Sequence, residues 1–342
     1  MQGWEKGYLV IETVIKSLWN KQAFKYDIRQ MNSIREFATL FLIFVRLCSQ
    51  HTIRKSQQEG RKMQRIDLQI LWSVLYIILG GLIFILGLNF LKSIPAIFQD
   101  VFKIGLPIVL LIIYFLSQRY FSDQKTVLWA FFLVSAGWLL DFYLTGKLAD
   151  LFSLNTKELS GIALTMVFST LLVSLPVIIG WLMTNQDLAS IYIQPDKNSW
   201  GIVVGLIGLI LLGGLGVLQT LGQGWELKAI GAAIPMVMVF SLANGFREEL
   251  VYRAVFLKGF QANIGLIATI FVTTLVFTLA HVDVSYTPAN LILFAIVLVL
   301  IGVVGSLIMI KTGSLIGAVL FHCGADVLLL MGMLSSQQLL LK

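Results

Sequence analysis

Two adjacent carboxylates and a guanidinium, Glu248, Glu249 and Arg253, stand inside a strongly apolar stretch of the chain. On a helix, Glu249 and Arg253 are four residues apart and share a face, where they can pair. Glu248 is turned away from Glu249 by about 100° through the 3.6-residue period and has no evident partner. The pattern offers one carboxylate held by arginine and one free for chemistry. Charges at membrane depth are costly, and they generally face a bundle interior or a water-filled cavity, where they mark function. The plainer alternative is a helix-end cluster at the membrane surface, since Arg247 and Lys258 lie nearby in the chain.

Two of the three histidines extend the pattern. His281 closes the apolar run 277–281, and His322 opens the stretch 322–326. His322 and Asp326 are one helical turn apart and share a face. Asp326 can orient His322 or face the site itself. Asp326 and the two glutamates are the acids set well inside apolar runs. A single intramembrane histidine is more often a helix–helix hydrogen-bond partner than a ligand. Here all of these groups come from the final third of the chain, which favours convergence at one polar site. The chemistry would be a carboxylate acting as base for a water, with two imidazoles to bind a metal or stabilise an oxyanion. His51 lies in a polar, basic stretch and is assigned no role.

The elements that must position these groups are membrane spans. The chain is 58% hydrophobic and 13% charged, against about 25% charged in a soluble domain. Several apolar runs approach the ~20 residues that cross a bilayer as a helix. The expected fold class is an all-α polytopic integral membrane protein of about eight to nine transmembrane helices, with a polar site buried in the C-terminal bundle. Spans are expected near 68–91, 104–116, 127–144, 161–183, 201–219, 230–259, 264–281, 288–310 and 314–334. Glycine-rich 201–219 suits close helix packing, and Pro288 suits the first turn of a helix. Asp141, near the end of the third span, is expected at an interface. The polar stretch 184–200 reads as a long loop dividing a variable front half from a functional back half.

Residues 1–66 carry twelve Lys and Arg against five Asp and Glu. They read as a basic cytoplasmic or interfacial extension, including an amphipathic stretch from Tyr8 to Lys21 and a short apolar run at 37–47. The expected domains are this extension, variable helices over 67–159 and a C-terminal core over 160–334. The net charge of +7 points to anionic lipid headgroups, not nucleic acid. Cys48 and Cys323 do not suggest a disulfide framework, no cleavable signal peptide is visible, and no internal repeat stands out. An integral plasma-membrane protein with a cytoplasmic N-terminus is expected.

The segments Glu248-Glu249-x-x-x-Arg253, Phe277-x-x-x-His281 and His322-x-x-x-Asp326 resemble, in type and in order, the three motifs of the CPBP intramembrane proteases. That family takes in type II CAAX prenyl endopeptidases and bacteriocin-processing or abortive-infection proteins. The resemblance covers about 160–334, most firmly 240–330. It implies that Glu248 activates water and that Glu249 and Arg253 hold the site. His281 would help bind the water or a metal, and His322 with residue 326 would face the substrate carbonyl. The family often carries Asn at the last position. An ionised carboxylate cannot donate to an oxyanion, so an orienting or ligand role is expected for Asp326.

Glu248, His281 and His322 could hold a divalent metal such as Zn2+, or could work without one; the His-Glu-x-x-His zinc signature is missing. The expected activity is hydrolysis of peptide bonds in membrane-anchored proteins or peptides. The rivals are a non-catalytic binding or immunity module and a proton-coupled transporter. One geometric demand follows. Counted from Lys258, Glu248 lies about 15 Å along its helix, while His281, counted from Asn263, lies about 27 Å along the next. On that count the site assembles only if a helix is tilted, shifted or broken.

Overall fold

In the computed structural model, the described residues are 60–86, 95–120, 122–197, 199–281 and 291–336. The chain divides into two units, 1–66 and 67–342. The expectations for the amphipathic stretch, the run at 37–47, His51 and Pro288 fall outside the described residues. Among those described, every regular element is helical.

In chain order the helices are α1 (Gly60–Gly80, continued by a π turn Gly81–Leu86), α2 (Ala96–Tyr120), α3 (Lys125–Leu151), α4 (Leu159–Leu182), α5 (Trp200–Gly222) and α6 (Leu227–Glu249). A π turn, Leu250–Ala254, joins α6 to α7 (Val255–Ile264), and α8 (Leu266–Ala280), α9 (Leu291–Thr312) and α10 (Ile316–Ser336) follow among the described residues. Among the described residues, eight helical segments are long and apolar enough to cross a membrane, the α6–α7 rod counting as one; α8 is a shorter apolar helix. The protein is a polytopic all-α membrane protein. Many large apolar side chains point outward, such as Ile210 and Leu218 on α5, as expected where hydrocarbon rather than water is the solvent.

Helix α10, which carries His322 and Asp326, packs most extensively on α5. Glycines make this seam. A Cβ added to Gly317 would lie 2.2 Å from the Gly201 carbonyl oxygen, and one on Gly205 would lie 2.4 Å from that of Gly317. Further along, a Cβ on Gly324 would fall 2.7 Å from the Gly208 oxygen. The two backbones therefore touch, and dispersion contact replaces a hydrophobic drive that lipid cannot supply. Asp196 caps α5 by accepting from the backbone N–H of Gly201 and Ile202, at 2.6 and 3.1 Å.

Between α7 and α8 the chain reverses at Gly265, whose φ of +80° and ψ of 169° belong to a region open essentially to glycine alone. This reversal answers the geometric demand. Lys258 does not end its helix: its ammonium donates to the Ala189 carbonyl at 2.6 Å, and the helix continues to Ile264. Counted from Gly265, Glu248 lies 17 residues back and His281 lies 16 residues forward. Both legs of the antiparallel hairpin rise about 25 Å, so the two side chains reach the same level.

The hairpin end is held by a polar cluster. Asn263 donates to the Tyr76 hydroxyl at 2.8 Å, Tyr76 donates to Gln124 Oε1 at 2.6 Å, and Gln124 donates to Asn263 Oδ1 at 3.0 Å. Tyr76 also stacks on Phe260, with ring centroids 4.1 Å apart. The polar stretch 184–200 is tied down too. Tyr192 O accepts from Leu315 N at 2.9 Å, and Gln194 bonds Gly313 and Ser314 in the turn between α9 and α10. Burial pushes the Tyr192 hydroxyl above its usual pKa.

Candidate active site

All six expected site residues come together where α6, its π turn, the end of α8 and the first turns of α10 meet. Glu249 and Arg253 are fully buried, and Glu248 and His322 nearly so, which removes the surface-cluster alternative. π turns recur at functional sites, where one extra residue per turn re-aims side chains; here the turn begins directly after Glu249 and contains Arg253.

The Arg253 guanidinium donates to Glu249 Oε1 as the helical spacing predicts, and it lies over the Phe277 ring at 4.4 Å. The same Glu249 oxygen meets Nδ1 of His322 at 2.7 Å. A carboxylate paired with arginine only accepts hydrogen bonds, so Nδ1 of His322 carries the hydrogen. His281 is fixed in the same sense by its own helix: Nδ1 lies 2.8 Å from the Phe277 carbonyl oxygen and donates to it. That explains the Phe-x-x-x-His spacing, because a C-terminal histidine can satisfy an otherwise unpaired carbonyl four residues back.

With both Nδ1 atoms engaged, both Nε2 atoms face Glu248. His281 Nε2 and His322 Nε2 each lie 3.5 Å from Glu248 Oε2, an oxygen that is buried and has no hydrogen-bond partner. Asp326 Oδ1 is 3.6 Å from His322 Nε2. Acceptors converging on one point suit a hydrogen-bond donor, and water is one. Their atom types also suit zinc, but among the described residues no three His, Cys, Asp or Glu groups are arranged to hold a metal ion.

A second layer was not read from the sequence. Asn244, one turn before Glu248, donates from Nδ2 to Asp326 Oδ2 at 3.0 Å. Arg247 Nη2 donates to Asn244 Oδ1 at 2.7 Å, which fixes the direction of the amide, and it sits 3.6 Å from Glu248 Oε1. Arg247 also donates to Ser169 Oγ of α4 and lies 4.9 Å over the Trp138 ring of α3. Arg247 is thus a buried member of the site rather than a surface cation. The signal for Asn244 was its spacing of four from Glu248; nothing marked Ser169 or Trp138. Asp326 is held by the Asn244 amide on one side and faces His322 on the other.

Residues 230–328 match the family model described as type II CAAX prenyl endopeptidase Rce1-like. No curated protein and no solved structure matches the chain. The match begins within α6 and ends in α10, so it takes in Glu248, Glu249, Arg253, His281, His322 and Asp326, while Ser169 and Trp138 lie outside it. Over residues 230–328, somewhat under a third of its length, the chain is similar to the type II CAAX prenyl endopeptidase Rce1-like family, a protease family.

Proposed function

We propose that the protein is an intramembrane endopeptidase in which Glu248 activates the hydrolytic water. The observation that carries this reading is the unpartnered Glu248 Oε2, set 3.5 Å from both His281 Nε2 and His322 Nε2. A water held there gives a proton to Glu248 Oε2 while its oxygen attacks the scissile carbonyl carbon. The proton on Glu248 then passes to the leaving nitrogen as the C–N bond breaks, which yields one new carboxyl and one new amine. His281 accepts from the water and keeps its oxygen in line. His322, anchored at Nδ1 by Glu249, faces the carbonyl together with Asp326. The buried Glu249–Arg253 pair holds this frame in place and takes no part in bond making.

The substrate class we propose is a membrane-anchored protein or peptide, and the CAAX prenyl activity in the family's description names the first substrate to try. The test is a vesicle assay with purified protein and lipid-anchored peptides, prenylated CAAX peptides among them. Wild type should release new peptide ends, and folded Glu248→Gln should release none. Equal peptide binding by the two proteins with no cleavage by either would favour the binding module instead.

A further inference from the structure

Hydrolysis inside a bilayer needs a path for water, and four buried polar atoms without partners mark one. They are Thr165 Oγ1, Trp138 Nε1, Arg247 Nε and Glu248 Oε2. A cleft of about 410 Å3 opens between α3 and α4, where Asp141, Thr145, Thr165 and Ser169 stand among apolar Phe142, Ile162, Met166 and Phe240. Ser169 at its inner end accepts from Arg247, which lies over Trp138 and 3.6 Å from Glu248. Thr165 thus stands in the cleft, and Ser169 links the cleft through Arg247 to the reacting carboxylate.

We infer that this α3–α4 cleft is the route by which the hydrolytic water reaches Glu248; the inference rests on the protease reading above. Buried polar atoms are satisfied by protein or by water, and water enters where the space is polar, roomy and offers several partners. This cleft has space for roughly a dozen molecules at about 30 Å3 each. Asp141 fits the same role. It lies ten residues before the end of α3 at Leu151, and its carboxylate accepts from Thr145 at 2.5 Å.

The test uses the full chain in vesicles with Cys48→Ser; the native Cys323 is fully buried. Single cysteines are placed at Thr165 or Met166 in the cleft, and at Leu171, which is 45% exposed on α4 outside it. A charged thiol reagent reacts with thiolates that meet water. Thr165→Cys and Met166→Cys should label at least tenfold faster than Leu171→Cys. The bulky adduct in the cleft should then lower kcat for peptide cleavage at least tenfold, with KM little changed. Two cysteines guard against one variant that fails to fold. Labelling no faster than at Leu171 would overturn the route even in an active enzyme. Fast labelling with cleavage intact would also overturn it. Failure of the unlabelled parent to cleave any peptide would instead strike at the protease reading, since labelling does not depend on it.

Discussion

Glu248 and His281 meet because Gly265 lies midway between them in the chain, 17 residues after the first and 16 before the second. Equal legs of one hairpin bring Nε2 of the histidine to 3.5 Å from the carboxylate. The register rests on one residue with a backbone geometry that side chains avoid. Replacement by alanine should destabilise the fold by about 1–3 kcal/mol. Thermal unfolding in detergent measures this, and cleavage should fall with the folded fraction. Full stability in Gly265→Ala would show that the reversal does not need its glycine.

Arg253 and Glu248 should separate structure from chemistry. Arg253→Met leaves the buried Glu249 with His322 but without its guanidinium, and breaking a buried pair in this way costs about 3–5 kcal/mol. The variant should unfold early or fail to accumulate. Glu248→Gln preserves shape and should remain folded while losing hydrolysis. Unfolding midpoints of the two purified variants decide the matter; equal stability would remove the framing role given to Arg253.

The Asn244–Asp326 pair can be exchanged. Asn244→Asp alone sets two carboxylates side by side, which like-charge repulsion disfavours, and should reduce kcat at least tenfold. In the double variant Asn244→Asp with Asp326→Asn, an amide again faces a carboxylate, and the new acid meets Arg247. The exchange should recover at least half of the lost activity on a logarithmic scale. If it recovers none, Asp326 acts as a charge in its own right rather than through the pair.

Much of this site was legible in the chain because charges stand out in apolar runs. Glu248, Glu249, Arg253, His281, His322 and Asp326 are the polar groups that burial in lipid would not tolerate without a purpose. Their mutual height was not legible. Lys258 has the look of a membrane boundary, yet its ammonium is spent on the Ala189 carbonyl and its helix runs on to Ile264. Ser169 and Trp138 gave no warning, because a serine or a tryptophan is ordinary in a membrane helix. Only tertiary packing brings them to Arg247. The glycines of α5 announced close packing, but not that α10 was the partner.

Metal dependence can be tested directly. A Glu248 base that works without an ion predicts cleavage that survives prolonged treatment with a strong chelator, and no more than a twofold change on added Zn2+. Loss of activity on chelation, with recovery on adding a metal, would instead assign Glu248, His281 and His322 as ligands. Metal content per protein in the active sample is the parallel measurement.

The central claim is that Glu248 makes peptide bonds break. The most direct measurement compares peptide termini in membranes of cells that make the wild type or Glu248→Gln at matched levels. The account predicts new ends with the wild type alone, and these ends identify both substrate and cleavage site. Identical termini in the two membranes, with both proteins folded and candidate substrates detected, would contradict it and leave the polar cavity as a binding site.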